Sequence, residues 1–171
     1  MANWQHHDSP VSLETFPWAV QDAWAAQLIE RDGKFYFYAP VVGSGDYGGS
    51  IGVAVAENIT DPYVDAIGSP LIPQSEIDPA VFIDDDGQAY LYWGNPNLWY
   101  VTLNEDMVSY SGKRNKVTLT QDGFGARGDG IMYAEGPWLY KRGEIYYMIF
   151  SAECCSTPNH EGGTSIGYLG S

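Results

Sequence analysis

The chain has 171 residues, of which 44% are hydrophobic and 18% are charged, so the composition excludes a disordered segment and fits one globular domain. Only 8 lysine and arginine residues stand against 22 aspartate and glutamate residues, and the net charge is −14 at pH 7. We therefore expect neither a nucleic acid nor an anionic membrane as partner, since both need clustered cations. No apolar run approaches the ~18 residues of a membrane span, and a neutral ligand suits this surface.

Residues 1–23 precede the first of three similar segments and resemble the end of a preceding unit of the same kind. The first residues carry neither the basic region nor the apolar region of a secretory signal peptide. We expect a tail and a linker here, and the sequence leaves the cellular location open.

The first repeated unit is predicted over residues 24–76. An alternating run from Trp24 is followed by the turn Asp32-Gly33 and then by an aromatic alternating run, which predicts a β-hairpin because such a tight turn needs a residue that tolerates positive φ. Phenylalanine and tyrosine alternate along residues 35–38 and should face opposite sides of the sheet. Two further strands are predicted, Ser50–Ala54 and, at the edge, Tyr63–Ala66.

The second unit is predicted over residues 77–134 and the third, which stops after about three strands, over residues 135–171. Each opens with the same hairpin pattern, with turn glycines at Gly87 and Gly143. The remaining predicted strands are Leu98–Leu103 and, at an edge, Lys116–Leu119 in the second unit, and Ser165–Leu169 in the third.

The three turn glycines, Gly33, Gly87 and Gly143, lie 54 and 56 residues apart. Four antiparallel strands repeated at such a period are typical of β-propeller blades. We therefore predict an all-β fold in a single domain, residues 1–171, that forms about two and a half to three blades of a partial propeller.

In a propeller, the innermost strand of each blade runs along the central axis, so the equivalent strand starts meet at one rim. These positions hold Trp24-Ala25, Asp78-Pro79 and Glu135-Gly136. Two carboxylates at one pocket suit glycosidic bond cleavage, because one of them raises the pKa of the other, which can then act as proton donor. Both motifs are also ordinary turn sequences, so a purely structural role stays open. The candidate sugar-binding residues are Trp24, Ala25, Trp93, Asn95, Tyr133 and Arg127, and Trp138 offers a further flat ring.

The order and spacing of several motifs resemble glycoside hydrolase family 43, whose members are five-bladed propellers that act on arabinan, xylan and their side chains. The matching stretches are Trp24-Ala25, residues 32–36, residues 51–55, residues 77–87 and Glu135-Gly136-Pro137-Trp138. The likeness is strongest to the arabinofuranosidase and β-xylosidase members. It implies an inverting glycoside hydrolase for plant polysaccharides or oligosaccharides that contain arabinose or xylose.

The resemblance implies roles for two residues. Asp78, in Ile-Asp-Pro, matches the aspartate that tunes the pKa of the acid and orients the sugar. Glu135, in Glu-Gly-Pro-Trp, matches the general acid.

Two family features find no match. The general base occurs in an Ala-Asp-Pro stretch of the first blade, and Asp8-Ser9-Pro10 is not its equivalent, because its neighbours resemble the end of that blade. A channel calcium ion is implied by the family, but the chain lacks its ligands, so we expect no cofactor and no metal site. On its own, such a chain should bind sugar poorly or hydrolyse slowly unless a second chain completes the site.

Open blade faces and unpaired strand edges favour association. We expect a homodimer in which Ser165–Leu169 lies beside residues 4–11 of the partner, since two copies would supply about five blades. Three functions are consistent with the sequence: a hydrolase completed by another chain, a carbohydrate-binding fragment without turnover, and a purely structural propeller piece.

Overall fold

The computed structural model describes residues 3–118, 132–154 and 163–170. Within these ranges the chain forms twelve strands in three antiparallel sheets, with short 3₁₀ turns at Leu13–Thr15 and Gly45–Tyr47 and no α-helix. None of the described residues form a helix that is long and apolar enough to cross a membrane.

The first sheet contains β1 (Ala19–Ala23), β2 (Gln27–Arg31), β3 (Lys34–Gly43), β4 (Gly48–Ala56) and β5 (Val64–Asp65). The ten-residue β3 is longer than β2, so β2 pairs with its first half and β1 with its second half, while β4 and β5 follow on the other side. Because β1 lies before residue 24, this sheet includes part of the predicted tail.

The second sheet has the order β6 (Ala80–Ile83), β7 (Ala89–Trp93), β8 (Trp99–Leu103) and β9 (Tyr110–Lys116). The predicted edge strand at Lys116–Leu119 is displaced toward the N-terminus, because β9 pairs with β8 and ends at Lys116. Val117 and Thr118 belong to no strand, and Leu119 lies outside the described residues. The residues of β9 are polar and largely exposed, so this edge strand lacks the apolar alternation that sequence analysis looks for.

The third sheet has the order β10 (Met132–Arg142), β11 (Ile145–Cys154) and β12 (Gly163–Gly170). The three predicted hairpin turns are confirmed, and their glycines Gly33, Gly87 and Gly143 have φ values of 77°, 84° and 60°. Each turn thus uses the positive φ that glycine adopts without steric cost.

The sheets pack face to face through shared apolar cores. Tyr36 and Tyr38 of the first sheet join Leu91 and Val101 of the second in one core, while Phe35 and Phe37 face the opposite side, as the alternation predicts. A second core joins the second and third sheets through Leu98, Tyr133, Met148, Phe150 and Ala152. Three antiparallel sheets stacked in this way are successive blades of a partial propeller.

Side-chain hydrogen bonds fix the inner strands of the first two blades beside one another. The amide of Gln27, in β2, bonds both the N–H and the carbonyl oxygen of Val81, in β6. This amide therefore makes the two hydrogen bonds that a residue of a paired strand would make. It fixes the distance between the starts of β2 and β6, where residues of the candidate site lie.

Candidate functional site

A cleft of about 530 Å³ opens where β2, β6 and β10 begin. Its walls include Trp24 and Ala25 from the first blade, Asp78 from the second, and Glu135 and Trp138 from the third. The structure thus brings together the three strand starts that the propeller pattern predicts to converge, although more than fifty residues separate them in sequence.

Asp78 is held in an unusual backbone conformation at this cleft. Its φ is 63°, a region that residues other than glycine seldom adopt and that costs on the order of 1–3 kcal/mol. The side chain is 8% exposed, and its Oδ2 accepts a hydrogen bond of 3.0 Å from the N–H of Gly136 in β10. The strained turn therefore aims the carboxylate at the next blade.

The pKa of Asp78 is raised above its ordinary value. Burial is the main cause, the negative charge of Glu135 adds to it, and the N–H of Gly136 acts in the opposite direction. The two carboxylates therefore couple electrostatically across the blade boundary.

We expect Asp78→Asn to stabilise the fold at neutral pH. The pKa of Asp78 in the folded chain lies above the unfolded value of about 3.9. The free energy of unfolding that Asp78 contributes is therefore fully present below about pH 3.9 and is lost as the pH rises through the folded-state pKa. The asparagine cannot ionise and avoids this loss. Urea unfolding at about pH 3 and pH 7 should show wild type and variant converging at the lower pH and separating at the higher one.

The exposed Asp46 provides a matched control, since Asp46→Asn makes the same chemical change away from the cleft. It should leave the wild-type pH dependence unchanged. Parallel stability curves for Asp78→Asn and wild type across this pH range would contradict the electrostatic account of the Asp78 environment.

Glu135 is presented to the cleft by an irregularity in β10. The register shifts on both sides of it, so that Glu135 faces Ser151 while Trp138 faces Ile149 on β11. Such bulges re-aim side chains next to functional sites. The Oε2 atom of Glu135 accepts a hydrogen bond of 2.8 Å from Nδ2 of Asn95.

Asn95 belongs to a loop that is organised by a residue the sequence analysis missed. The carboxylate of Glu76 accepts hydrogen bonds from three donors of this loop, two of them backbone N–H groups, and from Nε1 of Trp99 at the start of β8. A glutamate outside the strands is usually solvated, so the sequence gives no signal for Glu76. Its role becomes visible only in the structure, where the loop between β7 and β8 folds around its carboxylate.

The family model for "Glycosyl hydrolases family 43" matches residues 1–167. The chain belongs to this family. Among similar sequences, a β-D-galactofuranosidase of Aspergillus niger is 30% identical over 88% of this chain and 45% of the relative. A xylosidase/arabinosidase of Bacteroides ovatus is 28% identical over 85% of this chain and 53% of the relative. The chain thus spans about half the length of these relatives.

Solved structures of the family share the fold. An α-L-arabinofuranosidase from Clostridium thermocellum superposes with a TM-score of 0.65 at 27% identity, covering 87% of this chain and 47% of that one. A β-xylosidase/α-arabinofuranosidase from a compost microbial metagenome gives 0.72 at 22% identity, covering 92% and 60%. The partial-propeller prediction and the family resemblance are both confirmed.

Two tryptophans flank the carboxylates at this cleft. Trp24 is 46% exposed and Trp138 is 52% exposed, and both line the cleft. Exposed indole rings beside carboxylates offer flat apolar faces, and the exposed residue Ala25 adjoins one of them.

Trp93 and Tyr133 differ from the prediction that they contact sugar. Trp93 is 1% exposed in the core, because the inward face of β7 carries it together with Leu91. Tyr133 is 7% exposed, and its hydroxyl donates to the carbonyl oxygen of Gly94 at 2.7 Å. Neither ring has a face open to a ligand. The remaining candidate, Arg127, lies outside the described residues.

The family resemblance implies a channel calcium ion. In the described ranges, no three His, Cys, Asp or Glu side chains are grouped to hold a metal.

The acidic turn at residues 84–86 contacts the third blade. Lys141 of the third blade contacts Asp84 at 3.3 Å and Asp85 at 2.8 Å, and Tyr146 donates to Asp84 at 2.7 Å. This turn therefore joins two blades.

Proposed function

We propose that the chain carries the proton-donating part of a family 43 active site, which hydrolyses glycosidic bonds in polysaccharides or oligosaccharides that contain arabinose or xylose. The observation that carries the proposal is the placement of Asp78 and Glu135 from successive blades on one cleft between two exposed tryptophans. The printed activities of the relatives, xylosidase/arabinosidase and α-L-arabinofuranosidase, supply the substrate class.

In the proposed reaction Glu135 is the general acid. Its carboxyl group gives a proton to the glycosidic oxygen as the bond from that oxygen to the anomeric carbon breaks. Water attacks the anomeric carbon from the opposite face and loses its proton to a general base, so the product has the inverted configuration. Asp78, whose carboxylate is buried beside Glu135 at the cleft, takes the role of the family's second aspartate and orients the sugar ring.

The general base has no match in this sequence, so we assign it to a second chain that completes the propeller. Trp24 and Trp138 would stack on the sugar, and Asn95 stands within hydrogen-bond reach of the acid. Nothing in this scheme requires a cofactor.

The test uses the 171-residue chain with arabino- and xylo-oligosaccharides and with aryl α-L-arabinofuranosides and β-D-xylosides. We expect slow hydrolysis, with the first-formed sugar carrying the inverted anomeric configuration in ¹H NMR spectra. Calorimetric binding of the oligosaccharides without turnover would overturn the hydrolase proposal in favour of a carbohydrate-binding module. The absence of both binding and turnover would leave a structural role.

We propose further that a second copy of the chain covers the outer face of the first blade. A groove of about 410 Å³ lies there, and Leu28 and Ile59 on its wall are 37% and 51% exposed. The hydroxyl of Tyr63, on the same groove, is buried without a hydrogen-bond partner among the described residues. Since the chain spans about half of its relatives, two copies would supply about one propeller of blades.

We expect light scattering to give a mass of twice the 18.9 kDa of one chain. Leu28→Lys places a charge in the groove and should yield the monomer, whereas Ile145→Lys, at an exposed residue of the third blade, should not. A wild-type monomer with a cooperative thermal transition would refute the dimer.

A further inference from the structure

Glu76 lies two residues before Asp78 and binds the loop that joins β7 to β8. Its Oε2 accepts hydrogen bonds from the backbone N–H groups of Asn95 at 2.8 Å and Asn97 at 3.1 Å. Its Oε1 accepts from Nδ2 of Asn97 at 2.9 Å and from Nε1 of Trp99 at 3.2 Å. One carboxylate thus gathers four donors, an arrangement that fixes both the backbone and the side chains of the loop.

Two further bonds tie the same loop to the strand starts of the site. The N–H of Gly94 donates to the carbonyl oxygen of Ile77 at 2.8 Å, and its own carbonyl oxygen accepts from the hydroxyl of Tyr133 at 2.7 Å. The loop is therefore anchored on the residue before Asp78 and on a residue two positions before Glu135.

Asn95 connects Glu76 to Glu135. Its backbone N–H is held by Glu76, and its side-chain Nδ2 donates to Oε2 of Glu135 at 2.8 Å. A donor on Oε2 fixes the rotation of the carboxyl group and leaves Oε1 as the oxygen that carries a transferable proton. Asn95 itself is exposed, so its position depends on the bonds that hold its backbone.

We propose that Glu76 is a positioning residue, which acts through Asn95 to orient the carboxyl group of Glu135 for proton transfer to the leaving oxygen. The proposal rests on the proposed function, in which Glu135 is the general acid. Glu76 has no part in the chemical step, and its contribution is the geometry of the proton donor.

Glu76→Gln tests the proposal with little change in side-chain shape. Either orientation of the new amide places its NH₂ group against two of the four donors, so part of the anchoring is lost. We expect kcat on unactivated oligosaccharides to fall roughly 10-fold or more, as part of the 10²–10⁴ that a positioned proton donor contributes. On dinitrophenyl glycosides, whose leaving group needs no proton, the rate should stay within about 2-fold.

A loss of folded protein would lower the rates on oligosaccharides and on dinitrophenyl glycosides equally. A loss on oligosaccharides alone therefore indicates that Glu76 positions the proton donor. Asn95→Ala removes only an exposed side chain and should reproduce the selective loss, and the double variant should be no worse than either single variant. Glu57→Gln is the matched control, since it breaks only an exposed ion pair with Lys34. Equal losses on both substrates, or additive losses in the double variant, would overturn the proposal.

A readout without substrate keeps this proposal distinct from the proposed function. The side-chain amide resonances of Asn95 in ¹⁵N NMR spectra should shift in Glu135→Gln, because the group that accepts the Asn95 hydrogen bond changes from a carboxyl group to an amide. In the Glu76→Gln background that response should disappear. An undiminished response in that background would overturn the positioning role, whether or not the wild-type chain hydrolyses any glycoside.

Discussion

Glu135→Gln is expected to lower hydrolysis of unactivated arabino- and xylo-oligosaccharides by about 10²–10⁴-fold, the contribution of a positioned proton donor. The same variant should retain most of its rate on aryl glycosides with good leaving groups, because these depart without protonation. The glutamine keeps an oxygen that can accept from Asn95, so the local structure should persist. The measurement is kcat/KM across a series of leaving groups, which should show a steeper dependence on leaving-group pKa in the variant.

Glu144→Gln makes the same change at an exposed residue of the β10–β11 turn and should behave as wild type. An equal loss on every substrate would contradict proton donation and would indicate that Glu135 acts by binding or by supporting the fold.

Gly94→Ala should have the largest effect on stability. Gly94 has a φ of 138°, and a Cβ atom built on it would overlap the carbonyl oxygen of Asn97 and stand 2.9 Å from Oε2 of Glu76. Neither the strain nor the overlap can be relieved without moving the loop. We expect a loss of about 3 kcal/mol or more in the free energy of unfolding, measured by urea denaturation.

Gly87→Ala is the control for this substitution. Gly87 also has a positive φ, 84°, but no heavy atom beyond its two chain neighbours lies within 4 Å of the position of an added Cβ. It should cost only the conformational strain, about 1–2 kcal/mol. Similar losses at the two glycines would show that the packing of the loop around Glu76 does not constrain residue 94.

The repeat in the sequence carries most of the information about the fold and the meeting of the carboxylates. Glycine-containing turns and alternating strands are signals that can be read from a few neighbouring residues. Once they define propeller blades, residues at equivalent positions of successive blades must meet at the same end of the central channel. Asp78 and Glu135 could therefore be placed on one cleft without coordinates.

The remaining details depend on contacts that local patterns do not encode. The alternation along β7 predicts which face of the sheet carries Trp93, but it does not predict that the neighbouring sheet covers this face. Trp93 is therefore buried in the core. The role of Glu76 arises from donors about twenty residues away in a loop without periodicity. The polar strand β9 escapes detection because an edge strand needs no buried face.

The N–H of Gly136 reaches Asp78 across the boundary between two sheets, and Asn95 reaches Glu135 across the same boundary. The relative positions of Asp78, Asn95 and Glu135 therefore depend on how the two sheets pack against each other. A small movement of the second and third sheets apart would separate these side chains while every strand kept its hydrogen bonds. Lys141 and Tyr146 bond to Asp84 and Asp85 at the other end of this boundary, so we expect their substitution to loosen the proposed site while the strands persist.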